Sequence, residues 1–351
     1  MRLPVRWSPG AASRTRASLV ALLAAAPVLV APAPARAWDD VGHMAIAVIA
    51  WRHMTPAARD RAAAILRGAP ADAGLAQLRP NAGSPEERDL ALFARAATWP
   101  DIVRDRRDYP RFRTYHRPTW HYLSAYWRPG PQGRPEPVTG LPVDAQNIAE
   151  RIPVLRVVAA DASQRAESRA VALAWVLHLV GDIHQPLHTG SRVTAAHPEG
   201  DRGGNLVKLG STNLHSVWDD LFDVARVGVR PDDPGRGRRS SRRGAAAPRG
   251  ADARLARAAA VADEVAAAAP MERMLPQVVE GRVGAWIVEG TRLAQSAAYT
   301  PDLVDGGSVP PGYRERARRA AAPQLALAGY RLASLLNAAL DGAPAPAPVR
   351  R

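Results

Sequence analysis

The side chains of this sequence best suited to chemistry near neutral pH are nine histidines, and they are unevenly placed. All lie between His43 and His215, and residues 216–351 contain none. Most stand beside an acid or a tryptophan. The stretches are Trp38-Asp39-Asp40-Val41-Gly42-His43, Trp99-Pro100-Asp101, Trp120-His121-Tyr122, the run from His178 through Asp182 and His184 to His188, and Asn213-Leu214-His215 through Trp218-Asp219. His178 and Asp182 are four apart and share one face if helical, as do His215 and Asp219. Pro186 should break or kink the first of these helices and re-aim His188. A single imidazole in an apolar helix is ordinary packing. A histidine–carboxylate pair that occurs twice points further, because a buried carboxylate is costly unless a cation or strong donors offset its charge. Histidine and aspartate together suit zinc. With no cysteine in the chain, disulfides, thiolate nucleophiles and thiolate metal sites are excluded.

The elements that must position these groups read mostly as helices. Thr55-Pro56 supplies a cap and a first-turn proline for an alanine-rich helix ending near Gly68. Ser84 and Glu87 form a capping box. Residues 165–184 predict a long helix whose segment 171–177 is apolar all round and therefore buried. Leu325, Leu332, Leu336 and Leu340 give residues 312–340 a core-facing helical stripe. Strand signals are few: Asn205–Leu209 suits one arm of a short hairpin, and the Pro- and Gly-rich stretch Pro129–Pro142 reads as a surface loop. No internal repeat is present.

The chain has 351 residues, 47% of them hydrophobic and 23% charged, which is enough to bury a core and excludes wholesale disorder. The formal charge is +14, and Lys208 is the single lysine among 47 basic residues. A positive field draws phosphates, but so strong an arginine bias also reflects overall composition. Residues 1–37 read as a signal peptide: Arg2, Arg6, Arg14 and Arg16 precede an apolar run from Ala17 to Ala31 and an Ala35-Arg36-Ala37 cleavage signature. That run is shorter than the roughly 20 residues a membrane span needs. Cleavage would leave an exported chain starting at Trp38, periplasmic or secreted, without stable membrane association. Residues 230–254 read as a low-complexity basic insert, and 343–351 as a disordered tail.

These motifs resemble the S1/P1 nucleases, zinc-dependent enzymes that cut single-stranded DNA and RNA. The resemblance runs from Trp38 to about Asn337. It is carried by Gly181-Asp182-Ile183-His184-Gln185-Pro186-Leu187-His188, by Gly203-Gly204-Asn205, by Asn213–Asp219, and by the closing stretch from Ala328 to Asn337. It implies an all-α fold, a single mostly helical domain over 38–342 of the type shared with zinc phospholipases C, with at most a small β-hairpin. It also implies three zinc ions. The α-amino group and carbonyl of Trp38 would bind one, with His43. Asp101, His121 and His178 would bind a second, with Asp182 bridging the two. His188, His215 and Asp219 would bind the third. The implied reaction is metal-assisted phosphodiester hydrolysis giving 5′-phosphorylated products, with 3′-nucleotides as further substrates and a monomeric enzyme. Asp101 would also orient the nucleophile, Arg104 would stabilise transition-state charge, Asn205 would contact substrate, and a base would stack on Tyr122.

His53, His116, His184 and His197 match no ligand position of the family. The chain departs from fungal and plant members in having no disulfides, and from many members in carrying Ser124 two residues after the stacking aromatic. The insert 230–254 has no family counterpart. Two other readings stand beside the nuclease. One is a zinc phospholipase C, whose pattern has glutamate where this chain has Asp219. The other is a non-catalytic basic nucleic-acid-binding protein, which would be expected to lack some of the ligands.

Overall fold

Asp39 starts the fold. Its carboxylate accepts from Gly42 N at 2.8 Å and caps helix α1 (Asp40–His53), whose residues Val41 to Trp51 are all buried. The computed structural model describes residues 38–223, 251–279 and 281–341. The expected signal peptide and tail, and the expected insert as far as residue 250, lie outside these residues. Helices α2 (Pro56–Arg67) and α3 (Pro85–Ala96) follow, each with the cap read from sequence: Thr55 accepts from Ala58 N, and Ser84 and Glu87 form the reciprocal box. Next come the short helices α4 (Trp99–Ile102) and α5 (Tyr109–Tyr115), then α6 (Ile148–Ala160) and α7 (Ala166–Asp182). Helix α8 (Leu214–Asp219) is capped by Asn213, which accepts from Ser216 N. The C-terminal part holds α9 (Ala251–Ala268), α10 (Met271–Val278), α11 (Val283–Leu293) and α12 (Tyr313–Leu340).

The core forms around α1, which packs against α12 and α9 and also meets α3 and α7. At the α1–α12 crossing a Cβ on Gly329 would stand 2.5 Å from Ile49 Cγ2, so glycine sets how closely the two backbones approach. Helix α7 lies against α6 and α2, and every residue from Ala172 to Asp182 is buried. That is the all-round burial its apolar stretch predicts.

The all-α expectation holds, and the sheets are small. Strands β4 (Lys208–Leu209) and β5 (Thr212–Asn213) pair antiparallel, which places the expected hairpin three residues later than its predicted start. The stretch Pro129–Pro142 is not simply a loop. Strand β1 (Ala125–Pro129) pairs antiparallel with β2 (Pro135–Pro137) and parallel with β3 (Gly190–Arg192), so the described residues include a three-stranded sheet besides the hairpin. Next to this sheet Leu123 N donates to His188 O at 2.9 Å, which joins the His121 segment to the His188 segment. The basic stretch 230–254 also ends earlier than its composition suggests. Residues 251–254 already belong to α9, and Arg254 pairs with Asp40 at 3.0 Å.

Candidate metal centre

Helix α7 brings His178 and Asp182 to one buried face, with His178 Nε2 3.2 Å from Asp182 Oδ2. Two other segments converge on the same carboxylate and a third on His178. His43 from α1 places Nε2 3.3 Å from Oδ1, His121 places Nδ1 2.9 Å from Oδ2, and Asp101 Oδ1 lies 4.0 Å from His178 Nε2. Glycine makes this approach feasible, since a Cβ on Gly181 would stand 2.7 Å from His43 Nδ1. Pro186 opens a 3₁₀ turn, Pro186–His188, that turns the chain after α7 as predicted. His188 then meets His215, and His215 Nε2 lies 3.7 Å from Asp219 Oδ1 on α8.

The ligand atoms of three groups lie within 4.8 Å of one another: His43, His178 and Asp182; Asp101, His121 and His178; and His188, His215 and Asp219. All of these side chains are buried. Hydrogen bonds fix several of their tautomers. His178 Nδ1 meets Ala97 O at 2.8 Å, His188 Nδ1 meets His121 O at 2.6 Å, and His215 Nδ1 meets Gly203 O at 2.7 Å. Donation to these carbonyls leaves a lone pair on each Nε2. Yet His188 Nε2 and His215 Nε2 face each other at 3.0 Å. Two lone pairs at that distance repel unless a cation or a proton lies between them. Among the described residues, His121 Nε2 and His43 Nδ1 are buried without a hydrogen-bond partner, and His43 Nε2 and Asp182 Oδ1 face each other at 3.3 Å without a well-formed hydrogen bond. These donors fit a metal ion, and imidazole with carboxylate fits zinc.

The electrostatics favour the metal-binding form at most of these groups, His178 and Asp219 excepted. Burial opposes charge on Asp182, but His178, His121 and His43 outweigh it and hold the carboxyl well below the usual carboxylate range. Burial also opposes charge on Asp101, and His178 and Arg104 outweigh it, which brings the group to about 2. Burial lowers His121 to about 4 and His215 to about 3, and it lowers His43 and His188 as well. These imidazoles are therefore neutral at pH 7, the form that binds metal. His178 is raised, because Asp182 and Asp101 outweigh its burial. Asp219 is pushed well up by burial, which a bond from Gln185 offsets only in part.

The remaining predicted residues sit around this cluster. Arg104 Nη1 is 2.5 Å from Asp101 Oδ1. Trp38 is fully buried, and its Nε1 donates to Gly181 O at 3.1 Å. Tyr122 is exposed and donates from its hydroxyl to Asp144 at 3.2 Å, and Asn205 Nδ2 donates to Arg202 O at 2.8 Å. Neither Tyr122 nor Asn205 joins a metal-ligand group. His184 turns away from the cluster, with Nδ1 on Val180 O and Nε2 on Arg331. His53, His116 and His197 also lie outside the three groups.

Two supporting residues escaped the sequence reading. Gln185 Nε2 donates to Asp219 Oδ1 at 2.7 Å, and buried Asp201 accepts from Arg192 N and Gly204 N, which fixes the turn that carries Gly203 O to His215. That turn needs glycine: Gly203 has φ +60, and a Cβ there would stand 2.1 Å from Leu187 O. Gln185 lies inside the histidine-rich run and Asp201 two residues before the glycine pair, so sequence proximity was the available signal.

A cavity of about 550 Å³ between α5, α6 and α7 contains none of the candidate ligands. Trp175 is shared between the two regions, since it lines the cavity and its ring lies 5.3 Å from that of His121.

Comparison with known proteins adds a family. A family model described as S1/P1 Nuclease matches residues 38–341. Endonuclease 3 of Arabidopsis thaliana is 47% identical over 55 residues, 14% of this chain and 16% of the relative. Endonuclease 4 of the same plant is 44% identical over 55 residues, with the same shares of both chains. Endonuclease 2 is 34% identical over 83 residues, 20% of this chain and 26% of the relative. The chain thus spans 16% to 26% of the length of these curated relatives.

Proposed function

The chain belongs to the S1/P1 nuclease family, and on that footing we propose that it is a zinc-dependent nuclease acting on single-stranded DNA and RNA. The products are 5′-phosphorylated, and 3′-nucleotides are further substrates. The observation that carries this reading is the pair of Nε2 atoms on His188 and His215, 3.0 Å apart with both Nδ1 atoms committed to backbone carbonyls. His188, His215 and Asp219 would hold one zinc. Asp101, His121 and His178 would hold a second, with Asp182 shared between it and a third at His43 and the α-amino and carbonyl groups of Trp38. The reading takes residues 1–37 as removed, the mature chain as exported and monomeric, and Trp38 as its true N-terminus.

Zinc, when bound, supplies Lewis-acid chemistry that activates water at neutral pH and offsets charge on a phosphoryl group. The protein's own residues do the rest. Asp101 stays ionised and accepts a hydrogen bond, so it can orient an attacking water. Arg104 is held against Asp101, with its Nε buried and unpartnered among the described residues, and it offers a guanidinium to the charge that builds on phosphorus oxygens. Tyr122 offers an exposed ring to an unstacked base, and Asn205 a side-chain amide to the substrate. A base inside a duplex cannot present its face to such a ring, which is why single strands are preferred.

The test is release of acid-soluble nucleotides from single-stranded DNA by protein beginning at Trp38. Release is expected to stop with a chelator, to return with zinc and to leave 5′-phosphates. His215→Ala is expected to abolish release and to lower bound zinc by about one ion per chain, measured by metal analysis. A folded, zinc-loaded protein that cuts phospholipid but no polynucleotide would overturn the reading in favour of a phospholipase.

A further inference from the structure

The segment from Arg104 to Arg117 leads away from the candidate ligand Asp101 and carries six arginines. Three face acids: Arg104 meets Asp101, Arg107 meets Asp105 and Arg111 meets Asp108. Arg106 and Arg113 meet no carboxylate among the described residues. Each instead lies over an aromatic ring, Arg106 Cζ 5.3 Å from the Phe112 centroid and Arg113 Cζ 5.8 Å from that of Tyr109. Those rings form a ladder. Tyr109 and Phe112 are 6.4 Å apart and inclined by 21°, and Phe112 and His116 are 4.8 Å apart and inclined by 26°. Spacings of three and four residues put all three rings on one side of the chain. Tyr109 is 57% exposed. The ladder starts at Tyr109, eight residues after the candidate ligand Asp101, on the segment whose first arginine, Arg104, pairs with Asp101.

We propose that this ladder, with the guanidinia of Arg106 and Arg113, holds the single strand beyond the phosphate being cut. The proposal rests on the nuclease reading and extends its substrate contacts to residues outside the metal cluster. The chemistry is that of sequence-tolerant single-strand binding, in which cations track the phosphates and flat side chains receive the bases. A guanidinium over a ring keeps both properties, since its N–H edge can grip a phosphate while its plane can stack on a base. The occupant is a polynucleotide, because a dinucleotide held at the centre has too few bases left to engage a ladder of three rings.

Two measurements on the zinc-loaded protein test this. The first is KM on a long oligothymidylate, with a dinucleotide as reference. The second is fluorescence-anisotropy binding of a phosphorothioate oligothymidylate over a salt series. In the Arg106→Ala/Arg113→Ala variant, the slope of log affinity against log salt is expected to become shallower by about 0.7 for each phosphate contact removed. Its polymer KM is expected to rise by more than its dinucleotide KM. Tyr109→Ala is expected to weaken binding by roughly fivefold or more. Arg106→Lys/Arg113→Lys is expected to restore the salt slope and only part of the affinity. Helix content and melting temperature of each variant must match the parent.

Unchanged binding and slope in folded variants would overturn the proposal, and so would equal losses on polymer and dinucleotide. A parent protein that binds the strand through this ladder yet cuts none would overturn the nuclease reading and leave the ladder standing.

Discussion

Gln185 is fully buried between two demands: its Nε2 donates to Asp219 Oδ1 at 2.7 Å, and its Oε1 accepts from Leu187 N at 2.6 Å. It therefore fixes both the carboxylate at one candidate ligand position and the backbone just before another, His188. Partners of metal ligands typically contribute 10- to 100-fold in affinity. Gln185→Leu keeps the bulk and removes both bonds, so zinc affinity at this position is expected to fall by about that factor. Competition with a chromophoric chelator measures it, and an unchanged affinity would show that Asp219 orients itself without help. At this scale the sequence was readable where spacing sufficed. His178 with Asp182, and His215 with Asp219, lie one helical turn apart. The tautomer-fixing partners were not readable, because Ala97 O and His178, or Gly203 O and His215, meet only after distant segments have packed.

Helix α1 works as an element because its neighbour lacks a side chain at one point. A Cβ on Gly329 would come within 2.6 Å of Ile49 Cβ and 3.0 Å of Ile46 O, and these are atoms of a packed helix with little freedom to yield. Gly329→Val is expected to cost about 1–3 kcal/mol through overpacking, read as a lower denaturant midpoint with an unchanged slope. Since α1 also carries His43, zinc content should fall with it. If stability held, α12 would have to be able to shift away from α1. Most elements are legible in the sequence. Thr55 and Ser84 announced their helices, and α7 appears within two residues of its expected ends. The three-stranded sheet was hidden by Pro129, Pro135 and Pro137. Proline lacks the N–H a ladder uses, and it is tolerated here because β2 is an edge strand and Pro129 closes β1.

Across the whole molecule, the candidate ligands come from α1, α4, the segment before β1, α7, the turn after it and α8. Ions held there would tie together parts of the chain that have no local reason to meet. A ligand that binds only the folded state stabilises it by about 2.7 kcal/mol at a hundredfold excess over its dissociation constant. Chelation is therefore expected to lower the melting temperature by several degrees, and zinc to restore it. Superimposable melting curves with and without zinc, for a protein shown to bind it, would mean that the apo fold already holds these segments rigidly. The family resemblance named the members of the three candidate groups, but spacing alone could not assemble them, since each group joins residues from separate segments.

The packing of α1 also implies a way to divide the polypeptide. Every candidate ligand precedes residue 220, whereas α9 and α12, which cover α1, follow residue 250. A gene cut between these points would yield one piece with all the metal-binding chemistry and an uncovered apolar helix, and another with the cover and none of the chemistry. Neither piece would be expected to act as a partial enzyme. Co-expressed, they should assemble into one zinc-binding particle, and the activity would then serve as a reporter that two separately made chains have met.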